Sequence, residues 1–202
     1  LGRFQAGMTE RAAEWALLTE LRAAAADAES FPSIVAFGPN AAIPHHQPGD
    51  RPLQPGDLIK LDFGALVDGY HADMTRTVVF GRAAGWQRDL HDEVRAIQAG
   101  LVATVAPGVV PADLDDDMRR RITAAGHRVS HGLGHGVGLE IHEDPFLTER
   151  SPAPPLEVDM VITVEPGIYL EGRGGVRIED SVVVTATGCE SMTTATRELV
   201  EI

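Results

Sequence analysis

LDFGALVDGYHADMT, residues 61–75, carries the turn signal Asp68-Gly69 between two β-prone stretches, which predicts a β-hairpin. Side chains in a strand alternate between its two faces with period two. A turn with an even number of loop residues therefore puts Asp62 and Asp73 on the same face of the ribbon. Like charges on one face destabilise a hairpin, so this pair indicates a neutralising partner.

A second acidic pair, Glu165 and Glu179, has the same conflict. The segment EGRGG, residues 171–175, reads as an odd-length loop, which places the two glutamates directly opposite each other. Facing Cβ atoms of an antiparallel pair lie about 4.5–5.5 Å apart. Two such hairpins predict a multivalent cation between them. The alternative is a pair of solvent-exposed hairpins whose glutamates are neutralised by Arg173 or Arg177.

A segment rich in glycine and histidine, HGLGHGVGLEIH at residues 131–142, lies between the two hairpins. Glycine allows close backbone approach, and histidine supplies a metal-ligand nitrogen or a proton donor and acceptor. The alternative is a turn-rich loop with surface histidines. Two neighbouring carboxylate hairpins favour a reaction centre that uses His131, His135 and His142.

Composition sets further limits on the class of protein. The 202 residues are enough for one domain with a full core. A net charge of −13 argues against nucleic acid and anionic membrane surfaces as partners. No apolar run is long enough to span a membrane. Cys189 is alone, so we expect no disulfide framework and a cytoplasmic location. The chain opens on Leu1, so we expect a processed chain or a fragment.

Periodicity and turn residues predict an α+β chain with a coarse internal repeat. The repeat suggests two halves that each bring one hairpin to a common site. The expected helices cover 10–27, 86–106 and 112–125, the expected strands and hairpins cover 33–37, 58–80, 160–185 and 197–202, and the expected irregular segments include 39–55, 130–142 and 143–155.

Five motifs resemble, in the family's order and over nearly the whole chain, the pita-bread metallopeptidases, most closely the Xaa-Pro branch of prolidases and aminopeptidases P. The resemblance implies a pita-bread fold with pseudo-twofold halves, an antiparallel sheet and flanking helices. The motifs are PHHQPGDRPLQPGDLIKLDFG (44–64), DGYHADMTRT (68–77), HGLGHGVGLEIHE (131–143), TVEPGIYL (163–170) and GGVRIED (174–180).

The same resemblance implies a site for two divalent metal ions, in which Asp73 and Glu179 bridge both ions. Oxygen-rich ligation with one imidazole suits Mn²⁺ or Co²⁺ and tolerates Zn²⁺ or Fe²⁺. The implied ligands are Asp62, Asp73, His135, Glu165 and Glu179.

Further roles are implied for residues around the metals. His45 would contact the substrate amide, although a swap with the adjacent His46 stays open. His142 would donate to the scissile carbonyl as it becomes an oxyanion. His131 would line the proline pocket. Two roles concern the metal ligands themselves: Arg177 would brace the carboxylates, and Glu165 would also carry a proton to the leaving nitrogen.

The activity implied is hydrolysis of the bond between an N-terminal residue and proline in a small peptide. Three alternatives remain: a methionine aminopeptidase, a metal-free creatinase-like hydrolase and a non-enzymatic binding module of the same fold. Relatives of the Xaa-Pro branch usually carry a separate N-terminal domain that helps to form the substrate site and a homodimer. We therefore expect residues 1–202 to be the single catalytic domain, at the C-terminal end of a longer protein.

Overall fold

The computed structural model describes all residues from Leu1 to Ile202. It contains three α-helices, close to the predicted positions. The first has Thr9 as its N-cap, and the Thr9 hydroxyl accepts a hydrogen bond from the Ala12 amide at 3.2 Å. The third begins with Pro111, whose ring favours the first helical position. The helices are α1 (Glu10–Ala23), α2 (Gly85–Val102) and α3 (Pro111–Ala124).

The strands form four antiparallel sheets with the orders β1-β4-β5, β2-β3-β6, β10-β11 and β13-β12-β9-β7-β8. A 3₁₀ turn, Gly38–Ala42, follows β2. The strands are β1 (Ala28–Glu29), β2 (Ile34–Phe37), β3 (Leu58–Phe63), β4 (Ala65–Val67), β5 (Tyr70–His71), β6 (Met74–Val79), β7 (Gly134–Gly136), β8 (Glu143–Leu147), β9 (Val161–Val164), β10 (Gly167–Leu170), β11 (Gly174–Arg177), β12 (Asp180–Thr185) and β13 (Gly188–Ser191).

The first hairpin has the predicted two-residue turn. Asp68 and Gly69 have φ values of 51° and 83°, the left-handed conformation that this kind of turn requires. In the β3–β6 ladder Asp62 pairs with Thr75, and Asp73 lies two positions before Thr75. The side chains of Asp62 and Asp73 therefore belong to one face, as predicted.

The second hairpin also has the predicted register. Gly167 pairs with Arg177 in one ladder, and Val164 pairs with Asp180 in the next. Continuing the second ladder by one step, or the first by two, sets Glu165 opposite Glu179, with no register shift between the two ladders.

Three predictions of local structure are wrong. Residues 130–142 were expected to be irregular, but Gly134–Gly136 form β7, where a Cβ on Gly134 would overlap the Thr163 carbonyl oxygen. Residues 143–155 were expected to be irregular, but β8 forms there because Gly136 has no Cβ, which would lie 2.5 Å from the Asp144 carbonyl oxygen. Residues 197–202 were expected to form a strand. They make a single bridge to β6, between Val79 and Glu201, and the residues before it are held by their side chains instead, Arg197 by Asp180 and Glu198 by Arg95.

The hairpins meet in the middle of the molecule, where the Glu179 amide donates to the Thr75 carbonyl oxygen at 3.1 Å. The larger core packs α2 and α3 against the five-stranded sheet, and a smaller core packs α1 against β2 and β3. Each half therefore supports one hairpin from behind. No helix in the structure has the length and apolar character needed to cross a membrane.

Candidate metal centre

Asp62 and Asp73 enter the centre from the first hairpin. Both are buried, each with 6% of its surface exposed. The Asp73 backbone is fixed by Ser181, whose hydroxyl donates to the Asp73 carbonyl oxygen at 2.9 Å. The first hairpin therefore presents two carboxylates that cannot turn out into water.

Glu165 and Glu179 enter from the second hairpin, between its two ladders. The Glu165 amide donates to the Leu133 carbonyl oxygen at 2.9 Å. The Glu179 carboxylate accepts a hydrogen bond from the Thr75 hydroxyl at 2.6 Å. Thr75 thus joins the two halves at the carboxylates themselves.

His135, on β7, brings the one imidazole of the centre. Its Nδ1 lies 3.0 Å from the Gly136 carbonyl oxygen, which can only accept, so the Nδ1 proton points there. The Nε2 lone pair then faces Asp73 Oδ2 at 3.6 Å and Glu165 Oε1 at 3.5 Å. This orientation is typical of a metal-ligating histidine, whose second nitrogen is held by a backbone carbonyl.

The arrangement fits a bound cation. Ligand atoms of Asp73, His135 and Glu179 all lie within 4.8 Å of one another. Asp73 Oδ1 and Glu179 Oε1 are buried and have no hydrogen-bond partner in the protein. Buried polar atoms normally have partners, and carboxylates around one imidazole are a donor set for divalent cations. These residues therefore fit a divalent metal ion.

The buried negative charges of the centre also need a positive partner, such as a divalent metal ion. Burial and the nearby Asp62 raise the pKa of Asp73 to about 9. Burial raises the pKa of Glu165 to about 7, and burial with the neighbouring Asp73 raises the pKa of Glu179 strongly. Arg177 is the one cationic side chain paired with these carboxylates: it contacts Asp62, and its Nε lies 3.9 Å from Glu165.

We expect the metal-free protein to lose stability as the pH rises. In the unfolded chain these carboxyl groups ionise near their ordinary pKa values, 3.8 for Asp and 4.5 for Glu, whereas in the folded protein they keep their protons to higher pH. The folded state then binds more protons, so stability is fully present below about pH 4 and falls as the pH rises towards the folded pKa values. Urea unfolding at pH 5 and pH 8, in EDTA and in Mn²⁺, measures this. In EDTA, a free energy of unfolding that does not fall between pH 5 and pH 8 would contradict the expectation.

The structure gives the two adjacent histidines of the Pro44 loop different surroundings. His46 Nε2 lies 2.8 Å from Glu10 Oε2, and the buried Glu10 also accepts hydrogen bonds from the Phe37 and Gly49 amides. His46 is therefore part of the support of the loop. His45 is exposed, with its ring 6.5 Å from that of His131, and the open region beside these two rings is called the cleft below.

A second hydrogen-bond network, around His131 and Tyr169, forms one wall of the cleft. His131 Nδ1 is 2.8 Å from the Gly132 carbonyl oxygen, and its Nε2 is 2.8 Å from the Tyr169 hydroxyl. Arg177 Nη1 donates to the same hydroxyl at 2.9 Å. Burial and the Arg177 charge lower the pKa of His131 to about 4, so its imidazole is neutral at pH 7. His142 lies at the open side of the centre, with its ring 4.4 Å from the His135 ring.

Sequence reasoning missed three residues of this region: Thr75, Lys60 and Tyr169. Thr75 and Lys60 occupy β6 and β3 positions on the face of their ladder that carries Asp62. Strand alternation was the signal that could have found them. Tyr169 shares a face of the β10–β11 ladder with Arg177, so alternation gave a signal there too, whereas its contact with His131 joins distant parts of the chain.

Buried carboxylates with unpaired oxygens around one oriented imidazole are a donor set that suits the divalent metal ions used by hydrolases. The chain belongs to metallopeptidase family M24, whose family model matches residues 1–186. It is 41% identical over 176 residues to the Xaa-Pro dipeptidase of Pyrococcus furiosus, covering 86% of this chain and 50% of that protein. The chain thus spans about half the length of the curated relatives it matches.

Solved structures confirm the predicted pita-bread fold. The X-Pro aminopeptidase of Thermotoga maritima MSB8 superposes with a TM-score of 0.96 at 38% identity, covering 100% of this chain and 57% of that one. The Xaa-Pro dipeptidase of Bacillus anthracis superposes with a TM-score of 0.96 at 37% identity, with the same coverages of 100% and 57%.

Proposed function

We propose that the chain is the catalytic domain of a metal-dependent exopeptidase that hydrolyses the bond between an N-terminal residue and proline in small peptides. The observation that carries this proposal is the convergence of Asp73, His135 and Glu179 from distant parts of the chain, with ligand atoms within 4.8 Å of one another and an unpaired buried oxygen on each of the two carboxylates. The similarity to Xaa-Pro dipeptidases and an X-Pro aminopeptidase supports the choice of substrate. The lone Cys189, with no disulfide, agrees with a cytoplasmic location.

The proposed metal ligands are the five residues implied by the motifs, and we propose that they hold two divalent ions, with Mn²⁺ or Co²⁺ preferred. When bound, such ions supply Lewis acidity, which lowers the pKa of water and polarises a peptide carbonyl. The protein fixes the orientation of the ligands through Thr75, Ser181 and the Gly136 carbonyl. The ligands are Asp62, Asp73, His135, Glu165 and Glu179.

We propose that three residues of the centre stabilise the oxyanion, transfer a proton and contact the substrate. His142 stands beside His135 on the open side, where an imidazole N–H can donate to the carbonyl oxygen as negative charge develops on it. Glu165 is the carboxylate proposed to carry a proton to the leaving nitrogen, since a positioned carboxyl group can act as a general acid or base. His45 faces the cleft and is placed to contact the substrate amide.

A proline peptide bond explains why such a site is useful. The nitrogen of this bond belongs to the proline ring and carries no hydrogen, so a peptidase that recognises its substrate through a backbone N–H at that position is handicapped. The cleft wall formed by His131 and Tyr169 offers ring surfaces instead, with their polar atoms already engaged by each other and by Arg177. A neutral His131 is compatible with the apolar ring of proline.

The test is hydrolysis by purified protein reconstituted with Mn²⁺ or Co²⁺. We expect release of alanine from Ala-Pro or Ala-Pro-Ala, and the preferred peptide of the two separates a dipeptidase from an aminopeptidase. Cleavage of Met-Ala-Ser alone would assign the chain to methionine aminopeptidase chemistry. Fewer than one bound divalent ion per chain after reconstitution would favour the metal-free hydrolase or the binding module.

A further inference from the structure

Lys60 is the only lysine in the chain, and its side chain is completely buried in the wall of the cleft. Burying an amine costs free energy unless its N–H groups find partners. Lys60 Nζ donates to the Ile43 carbonyl oxygen at 2.5 Å and to the Pro44 carbonyl oxygen at 3.0 Å. Its remaining side faces the Tyr169 ring, 5.2 Å from the ring centre. Every direction around the amine is therefore occupied by protein.

The two carbonyls that Lys60 holds immediately precede His45. Arg177 Nη1 adds a third hydrogen bond, to the Pro44 oxygen at 3.1 Å. On the other side of His45, the bond between His46 and Glu10 fixes the chain. His45 itself makes no hydrogen bond with the protein, so its direction follows from these two anchors.

Strand β3 connects this anchor to the proposed metal site. Lys60 and Asp62 are two residues apart, so their side chains lie on one face, about 7 Å apart along the strand. Arg177 contacts both Asp62 and the Pro44 carbonyl. Strand β3 therefore carries both Lys60, which anchors the loop before His45, and Asp62, a proposed metal ligand.

We propose that Lys60 is a positioning residue, which fixes the Ile43–Pro44 carbonyls and so holds His45 over the metal centre. Two N–H donors suffice for two carbonyls, and a neutral amine and an ammonium both provide them. The role therefore does not depend on the protonation state of Lys60. Its catalytic consequence rests on the proposed function, whereas its effect on His45 does not.

The catalytic test is a double-mutant cycle between Lys60→Met and His45→Ala. Methionine keeps the length and burial of the side chain but has no donor. We expect Lys60→Met to retain bound metal and to lose about 10-fold in kcat/KM for Ala-Pro, since a reacting group that is misplaced by about 1 Å can cost as much as 100-fold. In the His45→Ala background the same change should cost less than about 2-fold, because no His45 remains to be positioned. An equal loss in both backgrounds, or loss of metal, would overturn the proposal.

The structural test needs no activity. A sample labelled with ¹⁵N at lysine side chains gives one amine signal, and we expect it to exchange slowly with water in the wild-type protein. In metal-free samples with labelled histidine rings, Lys60→Met should shift the His45 signal and leave that of His127, which pairs with Glu93 far from Lys60, unchanged.

Fast amine exchange in the wild type, or an unshifted His45 signal, would refute the positioning role. If Lys60→Met does not fold, Lys60→Leu, which also has no donor, replaces it in both tests. A wild-type protein that cleaves no Xaa-Pro peptide would refute the proposed function, while these two signals would still decide the role of Lys60.

Discussion

Replacing Asp73 with asparagine is expected to remove bound metal and peptide hydrolysis together. Asp73 Oδ2 lies 3.6 Å from His135 Nε2, and Oδ1 is buried with no partner in the protein. An amide offers one neutral oxygen and two N–H donors instead. Loss of an outer partner of a metal ligand costs about 10–100-fold in affinity, so loss of a ligand should cost more than about 100-fold. Metal analysis after dialysis and turnover of Ala-Pro measure the two effects.

The same variant should be more stable than the wild type when both are metal-free at pH 8. Folding the wild type at that pH requires proton uptake or burial of a charge at Asp73, and asparagine requires neither. Asp68→Asn is the matched control, because Asp68 is exposed in the turn with φ 51°, which asparagine tolerates. Asp68→Asn should keep metal and turnover. An Asp73→Asn protein with wild-type metal content and turnover would show that Asp73 is not a ligand.

The sequence allowed the registers of both hairpins to be predicted because those registers depend on short-range rules. The Asp68-Gly69 turn and strand alternation together fix which face Asp62 occupies. The odd-length loop at residues 171–175 likewise predicted Glu165 opposite Glu179, and the ladders on either side of this pair have that register. Conflicts between like charges were therefore visible before any tertiary structure was known.

Contacts between the halves could not be predicted in the same way. The Thr75 hydroxyl meets Glu179 across 104 positions of sequence, and Arg177 reaches Asp62 across 115. Neither periodicity nor turn chemistry carries information over such distances. The anchoring of Pro44 by Lys60 was missed for a related reason, since a lysine in a strand reads as a solvated side chain until the loop that covers it is known.

The choice between His45 and His46 shows what the structure adds to the motif. Two adjacent histidines in a loop are equivalent by spacing. The buried carboxylate of Glu10 separates them, because it holds His46 together with the Phe37 and Gly49 amides. Four hydrogen bonds, the fourth from Asn40, keep the pKa of Glu10 below its ordinary value despite its burial. His45 is left facing the cleft, which favours it for the proposed contact with substrate.

Replacing His142 with alanine is expected to keep metal binding and to lower kcat for Ala-Pro by about 100-fold, the size of effect seen when an oxyanion donor is removed. The ring stands 4.4 Å from that of His135 without sharing its hydrogen bond to Gly136, so His135 keeps its orientation in the variant. A donor that acts mainly as charge develops should change kcat more than KM.

His127→Ala is the control for His142→Ala, because His127 pairs with Glu93 at 2.9 Å on the helical side of the molecule. Its metal content and kcat should equal those of the wild type. Loss of metal in His142→Ala would move His142 into the ligand set, and a kcat within about 3-fold of wild type would exclude an oxyanion role. In that case His142 would take the place of His135 as the metal ligand. The hydrogen bond between His135 Nδ1 and the Gly136 carbonyl oxygen argues against this, because it already orients His135 Nε2 toward the carboxylates.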